Sequence, residues 1–388
     1  MAGTSRGPVL APANVDDYRE LARRRLPRQL FDYLDGGSYD ELTLAANRAG
    51  LHALRLRQRV MRDVSRVDTG ATVLGREIAM PLALAPVGLA GLMAPRAEAV
   101  AARVAEAAGV PFCLSTVGVC SIEEVRAATT APFWFQLYMM RDCGYVRELL
   151  QRAQAAGCGA LVFSVDMAVL ATRYRDVRNG IAGGLDLAGK IRKAWDIASH
   201  PGWVKRVALG GKPLIFGNLA AAVPNGRSLP EFKAWVDAQF DASVTWRDLD
   251  FVREHWKGPL LIKGVMEVED ARAAAACGAQ GVIVSNHGGR QLDGAPPTIE
   301  ALPAIADAVG DRLEVLMDSG VRGGQDIVKA LACGAKSVLF GRPWIWALAG
   351  AGEAGLANQL QQVRRELETT LMLTGTTAAR EVNRDLLC

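Results

Sequence analysis

The sequence predicts an α/β protein, a (β/α)8 TIM barrel with an N-terminal helical cap and a long insertion after the fourth strand. Three observations carry this. Eight short apolar runs lack the polar alternation of a half-exposed strand, as strands buried on both faces do. Ala-rich helical stretches lie between them, several ending at a glycine: Gly109, Gly157, Gly278 and Gly334. No GxGxxG follows the first run, which argues against the rival open, doubly wound sheet.

Helical patterns at Val15–Arg25, Pro27–Leu34 and Asp40–Ala49 place residues 1–75 outside the repeat, as a cap. The barrel occupies 82–343. Its strands are expected at Leu82–Gly88, Pro111–Thr116, Phe133–Tyr138 and Ala160–Asp166, then Leu260–Val265, Gly281–Asn286, Glu314–Gly320 and Ser337–Pro343. Helices are expected at Arg96–Ala108, Tyr145–Ala156, Glu267–Cys277 and Gly324–Cys333. The 167–245 connection is much longer than the others, too long for a structureless loop, and reads as a lid or surface element. Residues 344–388 follow as a C-terminal helix and tail, so 1–388 reads as a single domain.

Composition removes several classes. With 50% hydrophobic and 22% charged residues, the chain is neither a disordered tail nor a fibre. A net charge of +4 is too small to argue for nucleic acid. Seven cysteines with no CxxC pair, most in or beside apolar stretches, read as reduced core thiols. The N-terminus lacks a charged start followed by an apolar core, so no secretory leader is expected. The longest charge-free run, Ile78–Pro95, is broken by Pro81 and Pro86 and is not expected to span a membrane. Within the insertion, Lys190, Arg192, Lys193, Lys205, Arg206 and Lys212 face a single acid, Asp196, with Trp195 and Trp203 among them. That pattern fits an interfacial membrane segment or a solvated basic helix.

In a barrel of this type chemistry gathers at the carboxyl ends of the strands. Those ends supply Pro86, Val87 and Gly88; Ser115; Gln136 and Tyr138; Ser164 and Asp166; Lys263; Ser285 and His287; Asp318, Gly320 and Arg322; and Gly341 with Arg342. The glycines and two arginines after strands seven and eight suit a phosphate. His287, followed by two glycines at a strand end, suits a general base, with Asp166 to hold the imidazole. The other three histidines lack such a setting, and the four do not have the spacing of a metal site. Arg173 and Arg290 near that base suggest an anionic substrate, most simply a carboxylate. A lysine ending an apolar strand needs an anion or a polarised ring beside it, so Lys263 fits either a Schiff base or a flavin. The small polar groups of Ser115, Gln136 and Ser164 favour a heterocycle such as flavin mononucleotide (FMN).

At these residues the sequence resembles the FMN-dependent L-2-hydroxy-acid oxidase and dehydrogenase family. The resemblance runs from FDYLDGG through LAPVGL, LSTV, WFQLY, FSVDM and LIKGV to SNHGGRQLDG, DSGVRGGQDIVKALACGA and LFGRP. PVGLAGL, STVGVCSIEEV, RYRD and HPGWVKRVALGGKP are most similar to its bacterial membrane-associated, quinone-linked L-lactate dehydrogenase branch. The resemblance implies His287 as base with Asp166 as its partner, and Arg173, Arg290, Tyr33 and Tyr138 at the substrate. It implies FMN against Pro86, Val87, Gly88, Ser115, Gln136, Ser164, Lys263, Ser285 and Asp318, its phosphate at Gly320, Arg322, Gly341 and Arg342. Two departures are Ser164, where relatives often carry Thr, and Val117, where plant-type oxidases carry Trp. Gly88 is the residue commoner in the membrane dehydrogenases, Ala in several oxidases.

The expected activity is oxidation of L-lactate or a similar L-2-hydroxy acid to the 2-oxo acid, in respiratory lactate utilisation. Electrons would pass to a quinone at the cytoplasmic face of the inner membrane, with the protein peripheral and tetrameric. The alternatives are an oxygen-reducing oxidase that releases peroxide, possible for a cytoplasmic enzyme, and a non-enzymatic barrel that binds a phosphorylated ligand.

Overall fold

The structure, a computed structural model, describes residues 11–223, 235 and 237–388. Residues 1–10 of the expected cap, and 224–234 and 236 of the expected insertion, lie outside the described residues.

Eight parallel strands form the barrel: β1 (Leu82–Leu84), β2 (Cys113–Ser115), β3 (Trp134–Leu137), β4 (Ala160–Ser164), β5 (Leu260–Val265), β6 (Gly281–Val284), β7 (Glu314–Met317) and β8 (Ser337–Phe340). They pair in chain order from β2 to β8, and β8 pairs with β1. A parallel bridge from Leu84 to Phe112 joins β1 to the start of β2, and the Leu84 N–H donates to Pro111 O at 2.8 Å. Each strand falls inside its apolar run, and most are shorter. The run ends, such as Val165–Asp166 and Ser285–Asn286, leave the regular sheet and build the mouth.

Strand alternation sorts the side chains. Ala83, Cys113, Trp134, Val162, Leu261, Ile283, Leu316 and Leu339 form one buried cluster inside the barrel. Their neighbours, such as Leu82, Leu114, Phe135, Phe163, Ile262 and Val282, belong to the larger core beneath the helices. The same parity points the next residues, Ser115, Gln136, Ser164, Lys263, Ser285 and Asp318, inward above the apolar filling. Below it, a hairpin of Ala71–Val73 and Arg76–Ile78 contributes Val73 to the interior cluster. Its Leu74 N–H donates to Glu314 Oε2 at 2.9 Å, at the amino end of β7. This hairpin covers the amino end of the barrel. Two three-residue strands carry no readable periodicity, so the sequence pattern did not announce it.

The cap consists of helices Val15–Arg25, Arg28–Asp35 and Leu42–Ala53. The first is capped by Asn14, whose side chain accepts from Asp17 N at 3.0 Å, and packs on the helical segment Arg342–Thr374. Asp35, at the end of the second, is 4% exposed. Arg19 grips it with two bonds of 2.5 and 2.7 Å, and Arg175 of the insertion reaches it at 3.0 Å. Burial opposes ionisation of Asp35, but Arg19, Arg342 and Arg175 overcome it and hold the carboxyl below its usual range.

Several helices make up most of the described insertion, the longest being Leu187–Ala198. Asn218, fully buried, clasps it to the barrel: its Nδ2 donates to Ser115 O at 3.2 Å and its Oδ1 accepts from Ile122 N at 2.8 Å. Trp203 Nε1 donates to Leu92 O at 2.8 Å, so of the two tryptophans in the basic stretch only Trp195 is free on the surface. Of the cysteines, Cys113, Cys120 and Cys333 are buried, whereas Cys143 begins a helix at the surface.

The DSGVRGG turn shows why two of its glycines are required. Gly324 N donates to Glu366 Oε2 at 2.8 Å, and a Cβ on Gly324 would fall on the backbone of Leu367. Gly323 and Gly324 thus permit the close approach of the C-terminal helix. Gly324→Ala is expected to destabilise the protein by about 1–3 kcal/mol through overpacking. A melting temperature equal to that of the parent would refute the close packing.

Candidate active site

A cavity of about 840 Å³ opens at the carboxyl ends of the strands. Its lining includes Tyr33, Pro86, Val87, Gly88, Tyr138, Arg173, Lys263, His287, Arg290, Asp318, Gly320, Arg322, Gly341 and Arg342. Asp166, Ser115, Gln136, Ser164 and Ser285 do not line it and lie behind residues that do. Ser115 Oγ accepts from Val117 N at 3.3 Å, and Ser285 Oγ accepts from Lys263 Nζ at 2.9 Å and His287 N at 3.1 Å.

His287 has φ +57°, and Gly288 and Gly289 follow at +67° and +70°. Three successive left-handed residues turn the chain sharply after β6 and project the imidazole over the barrel. A Cβ on Gly289 would stand 2.5 Å from Leu44 N of the cap, which accounts for that glycine. His287 Nδ1 lies 3.0 Å from both Asp166 carboxylate oxygens. An ionised carboxylate only accepts, so Nδ1 carries the proton and Nε2 presents a lone pair. Burial lowers the His287 pKa below the usual imidazole value, and the pull of Asp166 does not fully restore it. The ring is therefore neutral at neutral pH, as a base must be. Burial also opposes the Asp166 charge, but His287 and Lys263 outweigh it and keep the carboxyl below its usual range.

Lys263 sits between two acids. Its Nζ is 3.0 Å from Asp318 Oδ2, and although burial opposes the charge, Asp318 and Asp166 raise its pKa. This lysine is a cation, not the neutral amine that Schiff-base formation requires.

The arginines crowd the cap side. Arg290 donates from Nη1 to Tyr33 O and Gly36 O, both at 2.8 Å, and its guanidinium lies 5.1 Å from the Tyr33 ring centroid. Arg173 lies 5.8 Å from the same ring. Arg342 donates to Leu34 O, Gly288 O and Gly36 O at 2.8–3.0 Å, and so binds the cap to the β6 turn. Arg322 stacks on Trp346 at 4.9 Å. Burial, with mutual repulsion, pushes Arg290 and Arg342 down to about 9 and Arg322 to about 10. A guanidinium resists deprotonation, so these depressions mark an unmet demand for anions.

The residues fit an FMN. The Gln136 Nε2 amide is buried without a partner among the described residues, a donor awaiting an acceptor. Gly341 precedes a helix that begins at Arg342, and the Arg322 guanidinium borders the cavity beside it, a setting for a phosphate. Lys263 supplies a buried cation at the floor. Not every N–H of the 320–324 turn is available to a phosphate: Gly324 N is taken by Glu366, and Arg322 N by Asp326 Oδ2 at 2.8 Å.

Sequence reasoning passed over Asp176, which lines the cavity, and Ser319, whose Oγ accepts from Gly288 N at 3.0 Å and donates to Asp318 Oδ1 at 2.7 Å. Asp176 closes the RYRD motif three residues after Arg173, and that place carried no role of its own. Asn286 proves structural: its amide and that of Asn47 exchange two 2.8 Å bonds and lock the cap to β6.

A barrel with an imidazole–carboxylate base, a cluster of buried arginines and a floor suited to a flavin nucleotide defines a flavin-dependent oxidoreductase. Residues 22–388 match the FMN-dependent dehydrogenase family. The chain is 52% identical over 375 residues to an L-lactate dehydrogenase of Caulobacter vibrioides (strain NA1000 / CB15N), covering 97% of each chain. It is 49% identical over 371 residues to an L-lactate dehydrogenase of Pseudomonas aeruginosa (strain LESB58), covering 96% of this chain and 97% of that one. Among solved structures it resembles the monotopic membrane protein (S)-mandelate dehydrogenase, with a TM-score of 0.91, 37% identity and coverage of 97% and 99%. It also resembles a mandelate oxidase, with a TM-score of 0.81, 38% identity and coverage of 95% and 98%. The chain belongs to the FMN-dependent dehydrogenase family: it is an oxidoreductase, and FMN is its cofactor. Among the described residues no helix is long and apolar enough to cross a membrane.

Loss of the base is expected to leave cofactor binding intact: His287→Gln should retain flavin absorbance while kcat drops by about 10²–10⁴. In the parent the acid limb of kcat/KM should lie below the ordinary imidazole pKa of about 6.5. Asp166→Asn removes the charge that raises the His287 pKa, so this limb should move to lower pH as kcat falls. A limb unmoved in that variant would separate Asp166 from the base.

Proposed function

We propose that the protein oxidises L-lactate, or an L-2-hydroxy acid of similar size, to the 2-oxo acid and passes the electrons to a membrane quinone. The observation that carries this is the convergence of a neutral His287, held by Asp166, with the anion-seeking Arg173 and Arg290 in one cavity. When bound, FMN supplies the two-electron acceptor. The two guanidiniums bind the carboxylate and orient the α-carbon. His287 Nε2 takes a proton from the substrate, and Asp166 stabilises the imidazolium that results. Tyr138 and Tyr33 bring hydroxyls toward the carboxylate end; burial pushes the Tyr138 phenol up, so it stays a donor. Gln136, Ser115, Ser164, Lys263, Ser285 and Asp318 would hold the ring system, with Pro86, Val87 and Gly88 along one wall. Gly320, Arg322, Gly341 and Arg342 would hold the phosphate. Val87 and Val117, both at the cavity, leave room for a small side chain such as a methyl.

The membrane reading is supported by helix Leu187–Ala198. Leu187, Ile191 and Trp195, at i, i+4 and i+8, form a stripe on one face and are 75%, 61% and 77% exposed. Lys190 and Arg192 flank it, as on a helix that lies in a bilayer interface. The protein on this reading is peripheral, at the cytoplasmic face of the inner membrane, and tetrameric like the family it resembles. Its likeness to a mandelate oxidase favours oxygen as the competing acceptor.

Anaerobic L-lactate should bleach the flavin band of the purified protein, and a band that does not change removes the hydroxy-acid reading. In air the same reaction should release little peroxide unless quinone is absent; rapid peroxide with quinone present would assign an oxidase. The triple variant Leu187→Ser, Ile191→Ser, Trp195→Ser should lose binding to vesicles containing phosphatidylglycerol and keep its kcat with a soluble acceptor. Undiminished vesicle binding would refute the helix as the contact.

A further inference from the structure

Asp176 is an acid of the cavity lining that faces arginines and has no place in the chemistry described above. It lies in the short helix Tyr174–Arg178, is 5% exposed and lines the cavity. Its backbone carbonyl accepts from Ile181 N and Ala182 N, both at 3.0 Å, which fixes the residue in the turn. Among the described residues its side chain has no hydrogen bond. Oδ2 stands 3.8 Å from Arg173 Nη1, an ion pair too long for a hydrogen bond, and Oδ1 is buried without a partner. The matching donor, Arg173 Nε, is also buried without a partner. An acceptor and a donor, adjacent and both unsatisfied, describe a contact that is loosened rather than absent.

We propose that Asp176 is a positioning residue of the carboxylate site: it holds Arg173 in the empty cavity, yields the guanidinium to the substrate carboxylate, and takes up a proton as it does so. This rests on the hydroxy-acid reading of the site. The exchange follows from charge. At 3.8 Å Asp176 makes no hydrogen bond to Arg173, and a bidentate pair with the substrate is stronger than that contact, so the substrate draws the guanidinium away from Asp176. Once Arg173 turns to the substrate, buried Asp176 loses its nearest cation and gains a carboxylate neighbour, and both changes favour its protonated form. The groups that face Asp176 set the balance: Arg173 and Arg175 from its own segment, Arg290 from the β6 turn, and Asp32 from helix Arg28–Asp35. Burial, aided by Asp32, already outweighs the three arginines and raises the Asp176 pKa, so the incoming anion pushes in a direction the site favours. By linkage, binding that takes up a proton weakens as pH rises through the free-state pKa.

The probe is oxalate, a non-oxidisable carboxylate, bound to holoenzyme and read from the perturbed flavin spectrum. The measurement uses His287→Gln, so that the imidazole does not contribute protons. Between about pH 5 and about 8, its oxalate Kd should rise with pH, by at most about tenfold per unit. Adding Asp176→Asn should flatten the profile at the low-pH affinity while the flavin stays bound. A slope that persists in the double variant, or a loss of affinity equal at every pH, would overturn the proposal. If Asp176→Asn fails to retain flavin, calorimetry of oxalate binding to His287→Gln in two buffers of different ionisation enthalpy decides instead. Proton uptake is then the expected result, and its absence refutes the exchange. A parent enzyme that L-lactate bleaches but whose His287→Gln form shows neither slope nor uptake sinks this proposal alone. A parent that neither bleaches nor binds oxalate sinks the hydroxy-acid reading with it.

Discussion

The site depends on a buried row of ionisable groups across four adjacent strands: Asp166 after β4, Lys263 on β5, His287 after β6 and Asp318 after β7. Lys263 makes the row possible. Its cation stands 3.0 Å from Asp318 and, after His287, helps to hold Asp166 in its charged form against burial. With it, Asp166 stays ionised, takes the His287 Nδ1 proton as a hydrogen bond and leaves Nε2 free. The protonation state of the base is thus set one strand away from the base itself. Parallel register brings this about, because β4 and β5 pair Ser164 with Lys263 and so place successive strand ends side by side.

A second constraint runs around the rim. The cap, the insertion and the β6 turn are joined by arginines bonded to backbone carbonyls or buried acids: Arg342 to Leu34, Gly36 and Gly288, Arg290 to Tyr33 and Gly36, Arg175 and Arg19 to Asp35. These side chains close the mouth and charge it at once. The depressed pKa values of Arg290 and Arg342 express a positive surplus in a pocket that two anions, a substrate carboxylate and a cofactor phosphate, would neutralise. Binding those anions should therefore stabilise the cap and the insertion as well as the ligands.

The insertion does more than carry the exposed apolar helix. Asn218 holds the carbonyl of Ser115 at the end of β2, and Trp203 holds Leu92 beyond β1, so the segment that carries the exposed apolar helix also braces two walls of the cavity. Its surface and its interior serve different partners. A change that loosens Asn218 would be felt at Val117 and Gly88, whereas changes at Leu187, Ile191 or Trp195 touch nothing in the pocket.

The strands were legible because a buried parallel strand needs an apolar residue at nearly every position, and the ends of those runs already supplied Ser115, Gln136, Ser164, Lys263, Ser285 and Asp318. His287 and its two glycines stood out for the same local reason: a left-handed turn at a strand end leaves a written trace. The hairpin under the barrel left none, since three-residue strands have no period to read. Arg342 shows the other limit. Its position marked it for a phosphate, but only the fold brings Leu34 and Gly36 to its side chain. Asp176 was invisible for a related reason, because burial without a partner is a property of packing. The chain alone therefore pointed to the barrel, to His287 at a strand end and to the arginines, through short-range patterns. The tertiary structure decided which charges are paired and which are left wanting, because that depends on groups hundreds of residues apart sharing one dry pocket.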